Sequence, residues 1–317
     1  MQNISKSTNN DLCKKMIDNL YFCAILKQRS ISMKTNILRL QKLAERGVIT
    51  HNGHFHADDV FSAALLKITG IIPDVRIIKR VDFIPENFDG LMFDIGQKEF
   101  DHHQQNAKSR SNSCKYASFG LLWKTIGCEY VMETYGCTKK DAKKTVARHD
   151  KNFTTAMDLT DNFGMITYPN PLSMLIAARN NGNFTPDERN EIFYKVANDF
   201  CEYLQCMIKT EYEFVRHQHR ANELATQNPS GFIILDKEFI PRTAFYKTTV
   251  QYIIYFCDRQ TYNVTSIPPY KIPYAMAIKM SGCVQAWDTG AAFNTLENAQ
   301  YATEQFIRNN CSNNLHT

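Results

Sequence analysis

The chain has 317 residues, 44% hydrophobic and 22% charged, with a formal net charge of +5. This composition excludes global disorder and supports a sizeable core, and the length suits two domains or one large one. The mild charge admits an anionic substrate but falls short of a dedicated nucleic-acid coat, and the absence of an apolar run of about eighteen residues argues against a membrane span.

Residues 1–46 form an N-terminal extension. Residues 1–12 are polar, rich in Asn and Ser, and expected to be disordered. Residues 13–46 carry Lys14, Lys15, Lys27, Arg29, Lys34, Arg39, Lys42 and Arg46 against Asp18 and Glu45. That bias fits either an organelle-targeting presequence or an extension with no targeting role. Ten cysteines include no Cys-x-x-Cys pair, which predicts reduced thiols in an intracellular protein, in the cytoplasm and with nucleus or mitochondrion left open.

Ile37, Leu38, Leu40 and Leu43 predict a short helix ending near Gly47, and Val48-Ile49-Thr50 a short strand. Apolar spacing then predicts a helix over 59–69, strands at Val75–Lys79 and Leu91–Phe93, and helices over 117–126 and 139–149. A long helix is expected from Pro186 to Leu224. Phe232–Leu235, Tyr252–Phe256 and Tyr274–Ile278 read as strands, Pro268-Pro269 and Pro273 as a loop, and 295–308 as a final helix. The expected architecture is α/β. A domain with a mostly parallel sheet covers 47–185, a helical connector covers 186–226, and a smaller α/β or α+β domain covers 227–317.

Three polar clusters fall where strands end: His51-Asn52-Gly53-His54-Phe55-His56-Ala57-Asp58-Asp59, then Asp94, then Asp101-His102-His103-Gln104. In a mostly parallel sheet these ends lie on one edge, where ligands bind. Imidazole beside carboxylate suits Mn²⁺, Zn²⁺ or Fe²⁺ better than Mg²⁺. His51, His56 and Asp58, at i, i+5 and i+7, can share a pocket; Asp94 can bridge two ions, His102 adds a nitrogen, and Asp161 is a further candidate. Two ions about 4 Å apart would activate a water and neutralise an in-line phosphoryl transition state. Plainer readings stand beside these. His54 fits a surface residue, Asp59 a helix cap, and Asp158 a solvent-facing residue. His149, His217, His219 and His316 lie in polar or terminal surroundings, and Lys139–Lys144 reads as a solvated helix face.

Thr50-His51-Asn52-Gly53-x-Phe55-His56-x-Asp58, Asp94-Ile95-Gly96, Asp101-His102-His103-Gln104 and Asp161-Asn162-x-Gly164 together resemble the melanocyte-proliferating-gene family, within the DHH phosphoesterase superfamily. The resemblance spans about residues 48–164. It implies a DHH-type metal-binding domain, hydrolase activity and 3′→5′ exonuclease action on RNA. It also implies two divalent ions, manganese ahead of magnesium or zinc, held by His51, His56, Asp58, Asp94, His102 and Asp161. His103 would face the scissile phosphate as a donor, and Asp101 would orient the histidines. The chain departs from the superfamily in carrying His56 where an aspartate is expected. It departs again at 281–293, where a glycine-rich turn ending in histidine is expected. There Gly290 keeps one glycine, the histidine is missing, and Asp288 adds negative charge.

The leading expectation is therefore a metal-dependent exonuclease on RNA or single-stranded nucleic acid. A phosphohydrolase of short oligonucleotides or other small phosphoesters is the second reading. A catalytically silent metal- or nucleotide-binding protein is the third.

Overall fold

The structure is a computed structural model that describes residues 35–313 except Lys237 and Asp258, with side chains described as far as Asn310. The basic segment before Thr35 lies outside the described residues. The chain divides into two compact units between Tyr212 and Glu213, inside a long helix.

The first unit opens with helix α1 (Thr35–Ala44) and strand β1 (Val48–His51), followed by helix α2 (Ala57–Ile68) and strands β2 (Ile78–Val81) and β3 (Leu91–Met92). The strands form a parallel sheet in the order β2-β1-β3, with Val48 opposite both Ile78 and Leu91. Residues 75–77, expected to begin the second strand, form a 3₁₀ turn. Asp74 caps it through the Arg76 amide, so the strand starts three residues later.

Helix α2 is buried from Ala57 through Leu66, because the following helices pack around it. Those are α3 (Ser118–Tyr135), α4 (Lys139–His149), α5 (Thr155–Phe163), α6 (Pro171–Ala178) and the long α7 (Pro186–Gln227). Phe61 anchors this packing, with ring centroids 5.6 Å from Phe119, 5.0 Å from Phe153 and 5.1 Å from Phe200. Burial of such aromatics supplies much of the core's stabilisation, roughly 1.5–3 kcal/mol per large side chain. A single π turn, Asp150–Thr154, separates α4 from α5. His149, expected in polar surroundings, is fully buried there. Its ring lies 4.6 Å from Trp123 and 5.2 Å from Phe153.

The second unit is a five-stranded sheet built from β4 (Phe232–Leu235), β5 (Tyr252–Cys257), β6 (Thr261–Ser266), β7 (Cys283–Trp287) and β8 (Gly290–Phe293). Its order is β4-β5-β6-β8-β7; β4 and β5 are parallel and the other pairs antiparallel. The final helix α9 (Leu296–Asn313) covers one face, where Ala299, Ala302 and Phe306 pack on Tyr252, Ile254, Val264 and Phe293. One expectation is corrected here. Tyr274–Ile278 is a helical turn, α8 (Tyr274–Ala277), because Pro273 starts a turn in which its carbonyl accepts from Met276 and Ala277. Gly290 closes the Asp288-Thr289 hairpin turn and opens β8, paired with Trp287 and Thr265. Among the described residues, no helix is long and apolar enough to cross a membrane.

Candidate metal centre

Each polar cluster is delivered by a strand end or a helix N-terminus. His51 closes β1, and a five-residue loop turns the chain into α2, whose first turn carries Asp58 and Asp59. The loop is held from three sides. Arg80 donates to the Gly53 carbonyl at 2.8 Å, and the Asn180 amide donates to the Phe55 carbonyl at 2.6 Å. The His56 amide donates to Asp59 at 2.8 Å, which satisfies one free N–H at the helix start.

Asp94 follows β3 in a left-handed conformation, φ 52°, and Gly96 and Gln97 are left-handed as well. Such a conformation is uncommon for a side chain other than Gly, although Asp tolerates it. The turn returns the chain so that the Asp94 amide donates to the Phe100 carbonyl at 2.9 Å. The next three residues are Asp101, His102 and His103. Asp161 arrives from the last turns of α5.

These side chains converge. His51 Nε2 lies 3.0 Å from Asp59 and 3.2 Å from Asp94. His102 Nε2 lies 3.1 Å from Asp94 and 3.1 Å from Asp161. His56 Nδ1 is 3.5 Å from Asp161. Donor atoms of His56, Asp58 and Asp161 fall within 4.8 Å of one another, as do those of Asp58, Asp59 and Asp94. His54 is absent from these groups; its exposed ring approaches Arg189 at 3.5 Å.

The electrostatics of this arrangement call for cations. Asp58, Asp59 and Asp94 are buried together, with Asp161 beside them. Burial, followed by the charges of Asp161, Asp94 and Asp59, pushes the Asp58 carboxyl well above its ordinary range. The Ser118 amide, at the N-terminus of α3, reaches it at 3.3 Å. Burial opposes charge on His51, but Asp59 and Asp94 outweigh it and raise the ring to about 11. Burial opposes charge on His102 as well, and Asp161 and Asp94 raise it to about 10. Burial works against charge on Asp94 too, but His102 and His51 overcome it and hold the carboxyl down to about 2. Asp58 Oδ1, Asp94 Oδ1 and His102 Nε2 are buried without hydrogen-bond partners. Orphaned buried oxygens and an imidazole nitrogen in adjoining histidine–carboxylate groups are what divalent ions satisfy. The donor set fits Mn²⁺ or Zn²⁺ better than Mg²⁺.

His103 stands differently. Its Nδ1 donates to Asp101 at 2.6 Å, and the ring is 59% exposed. Asp101 is itself fixed by the amides of Gln97 at 2.6 Å and His103 at 3.1 Å. With Nδ1 committed, Nε2 donates when the ring is charged and accepts when it is neutral.

Of three further features, two escaped the sequence reading. Asp59 both caps α2 and borders the cluster, so its two readings are not exclusive. Asp158, expected in solvent, is fully buried and pairs with Arg110 at 2.6 Å, while Arg110 also holds Asp150 at 2.7 Å. Gly120 makes room for it, since a Cβ there would collide with the Asp158 carboxylate. Asn162 reaches His102 Nδ1 at 3.2 Å; its place beside Asp161 in the fourth motif was the available signal.

The fold and the cluster define an α/β protein carrying a histidine–carboxylate constellation of metal-ligand type. The chain belongs to the MYG1 exonuclease family, described as an uncharacterised protein family (UPF0160), whose profile matches residues 47–283. It is 25% identical to the human MYG1 exonuclease over 232 residues, covering 62% of this chain and 60% of that protein. It is 26% identical over 147 residues to the MYG1 protein YER156C of Saccharomyces cerevisiae, covering 42% of each. The alignments thus span less than two thirds of either relative. Among solved structures, RecJ from Thermus thermophilus in complex with Mn²⁺ aligns over 87% of this chain and 55% of its own, with a TM-score of 0.28 at 13% identity. An exonuclease RecJ bound to manganese aligns over 86% and 94%, with a TM-score of 0.26 at 13% identity.

Proposed function

We propose that the protein is a divalent-metal-dependent phosphodiesterase that removes nucleotides from the 3′ end of RNA or other single-stranded nucleic acid. The observation that carries this reading is the set of buried, unpartnered donor atoms on Asp58, Asp94 and His102, in a chain of the MYG1 exonuclease family. His51, His56, Asp58, Asp94, His102 and Asp161 would hold two ions, with Mn²⁺ preferred. Asp59 is added to that set because it faces His51 and Asp94.

Bound ions would lower the pKa of water and offset phosphoryl charge. The chain's own groups do the rest. Asp94 presents Oδ1 toward His102 and Oδ2 toward His51, so it would be the residue shared between two ions. His103, exposed and fixed by Asp101, is the group placed to meet a phosphate oxygen or a leaving oxygen. When charged, it donates from Nε2.

Asp288 and the missing turn histidine favour a second reading, a small phosphoester substrate held without a polynucleotide grip. Two blocked RNA strands test the leading reading in Mn²⁺. A strand with a modified 5′ end should be shortened, and one with an inverted 3′ nucleotide should survive. Equal survival of both, with turnover of dinucleotides, would move the assignment to the second reading.

A further inference from the structure

Asn162 lies on α5 one residue after Asp161, beside the His102 ring. Its Nδ2 donates to the Asp158 carbonyl at 2.8 Å, one turn back on the same helix. That bond fixes the amide orientation, because the flipped amide would set oxygen against oxygen. Oδ1 therefore faces outward and meets His102 Nδ1 at 3.2 Å. An oxygen acceptor at Nδ1 requires hydrogen on Nδ1. In the neutral ring that ligation requires, Nε2 is then the nitrogen that presents a lone pair toward Asp94 and Asp161, each 3.1 Å away.

The helix turn behind Asn162 is itself anchored. Arg110 ties the Asp158 carboxylate and Asp150 together at 2.6 and 2.7 Å, and its guanidinium lies 4.0 Å from the Tyr116 ring centroid. Arg110 belongs to the irregular segment that follows His103. The same arrangement thus joins that segment to α5, the two elements that deliver His102 and Asp161.

We infer that Asn162 is a positioning residue: it fixes the tautomer and ring plane of His102, so that Nε2 is the ligating nitrogen. The inference rests on the reading of the cluster as a divalent-metal centre. Partners behind a metal-ligating histidine commonly change metal affinity about 10- to 100-fold when removed. Two substitutions separate the contributions. Asn162→Leu removes both the acceptor and the bond to the helix. Asn162→Asp keeps the acceptor and loses only the donation to the Asp158 carbonyl. If the helix bond alone mattered, Asp would be as poor as Leu.

The experiment has two arms on the full chain. In the first, Mn²⁺ binding is titrated calorimetrically for wild type, N162L, N162D and Asp94→Ala. In the second, the His102 ring nitrogens of the Zn²⁺-loaded wild type are assigned by long-range ¹H–¹⁵N NMR. The expected results are a 10- to 100-fold loss of affinity in N162L, recovery of most of it in N162D, and hydrogen on Nδ1 of His102, the loss being about that seen for other such partners. Hydrogen on Nε2, or wild-type affinity in N162L, would overturn the role of Asn162 while leaving the metal centre intact. The NMR arm needs no variant, so it decides even if N162L fails to fold. A wild type that takes up no Mn²⁺, with Asp94→Ala indistinguishable from it, would overturn the metal reading and the role of Asn162 together.

Discussion

His102 Nε2 and Asp94 Oδ1 lie 3.1 Å apart, both buried and without a hydrogen-bond partner outside the histidine–carboxylate cluster. They arrive from opposite sides of the left-handed turn that begins at Asp94. Held this close inside the cluster, they are adjacent donor atoms that one divalent ion would take together.

Metal uptake should release protons. In the metal-free protein His51 and His102 titrate near 11 and 10, so both rings are charged at neutral pH. Ligation requires them neutral. Affinity for Mn²⁺ should therefore rise from about pH 6 to about pH 9, by up to about tenfold per pH unit for each proton displaced. Calorimetry in two buffers of different ionisation enthalpy counts the protons. A heat of binding independent of buffer would contradict the picture.

His103 should depend on Asp101 for orientation rather than for metal. Burial opposes charge on Asp101, but bonds from the His103 ring and from the Gln97 and His103 amides hold it below its ordinary range. Asp101→Asn should lower kcat by about 10- to 100-fold while leaving Mn²⁺ affinity within a few fold. Loss of metal binding in step with loss of turnover would place Asp101 in the metal site instead.

Arg110 should matter more for stability than its place in an irregular segment suggests. Removing it strands Asp158, which is fully buried. Arg110→Met should cost about 3–5 kcal/mol by urea unfolding, and adding Asp158→Asn should restore much of that. Burial already lifts the Asp158 carboxyl to about 7, against the opposing pull of Arg110.

Acid should weaken the fold partly through His149. Burial holds its ring neutral, down to about 3, against a small opposing effect of Asp150. The unfolded chain binds a proton there below about 6.5, and the folded chain does not. The stabilising contribution is present above that value and is lost as pH falls toward about 3, at up to about 1.4 kcal/mol per pH unit. His149→Gln should flatten this limb of the unfolding free energy relative to wild type. Parallel limbs in the two proteins would remove His149 from the account.

Much of this was visible in the sequence, for identifiable reasons. Period-3.6 apolar spacing located α2, α7 and α9, and β-branched runs located β1 and β5. His51 and Asp94 stood out as candidates because each sits where an apolar run stops, and Asp161 through the motif Asp161-Asn162-x-Gly164. What stayed hidden depended on distant neighbours. Asp158 looks exposed until Arg110 and Gly120 are folded against it, and His149 looks polar until Trp123 and Phe153 enclose it. Strands β6, β7 and β8 were missed because Thr261–Ser266 carries polar residues and Gly290 suggested a turn. Tyr274–Ile278 has strand-like composition, but Pro273 sets up a helical turn instead.

The most direct test of the central claim is product analysis on a short RNA labelled at its 5′ end, with Mn²⁺ added, comparing wild type with Asp94→Ala. The account predicts a ladder of shortening products from wild type and none from the variant, with Mn²⁺ uptake also lost in the variant. Equal ladders from both proteins would contradict the bridging role of Asp94. An intact RNA in the presence of Mn²⁺-loaded wild type would contradict the assignment as an RNA exonuclease.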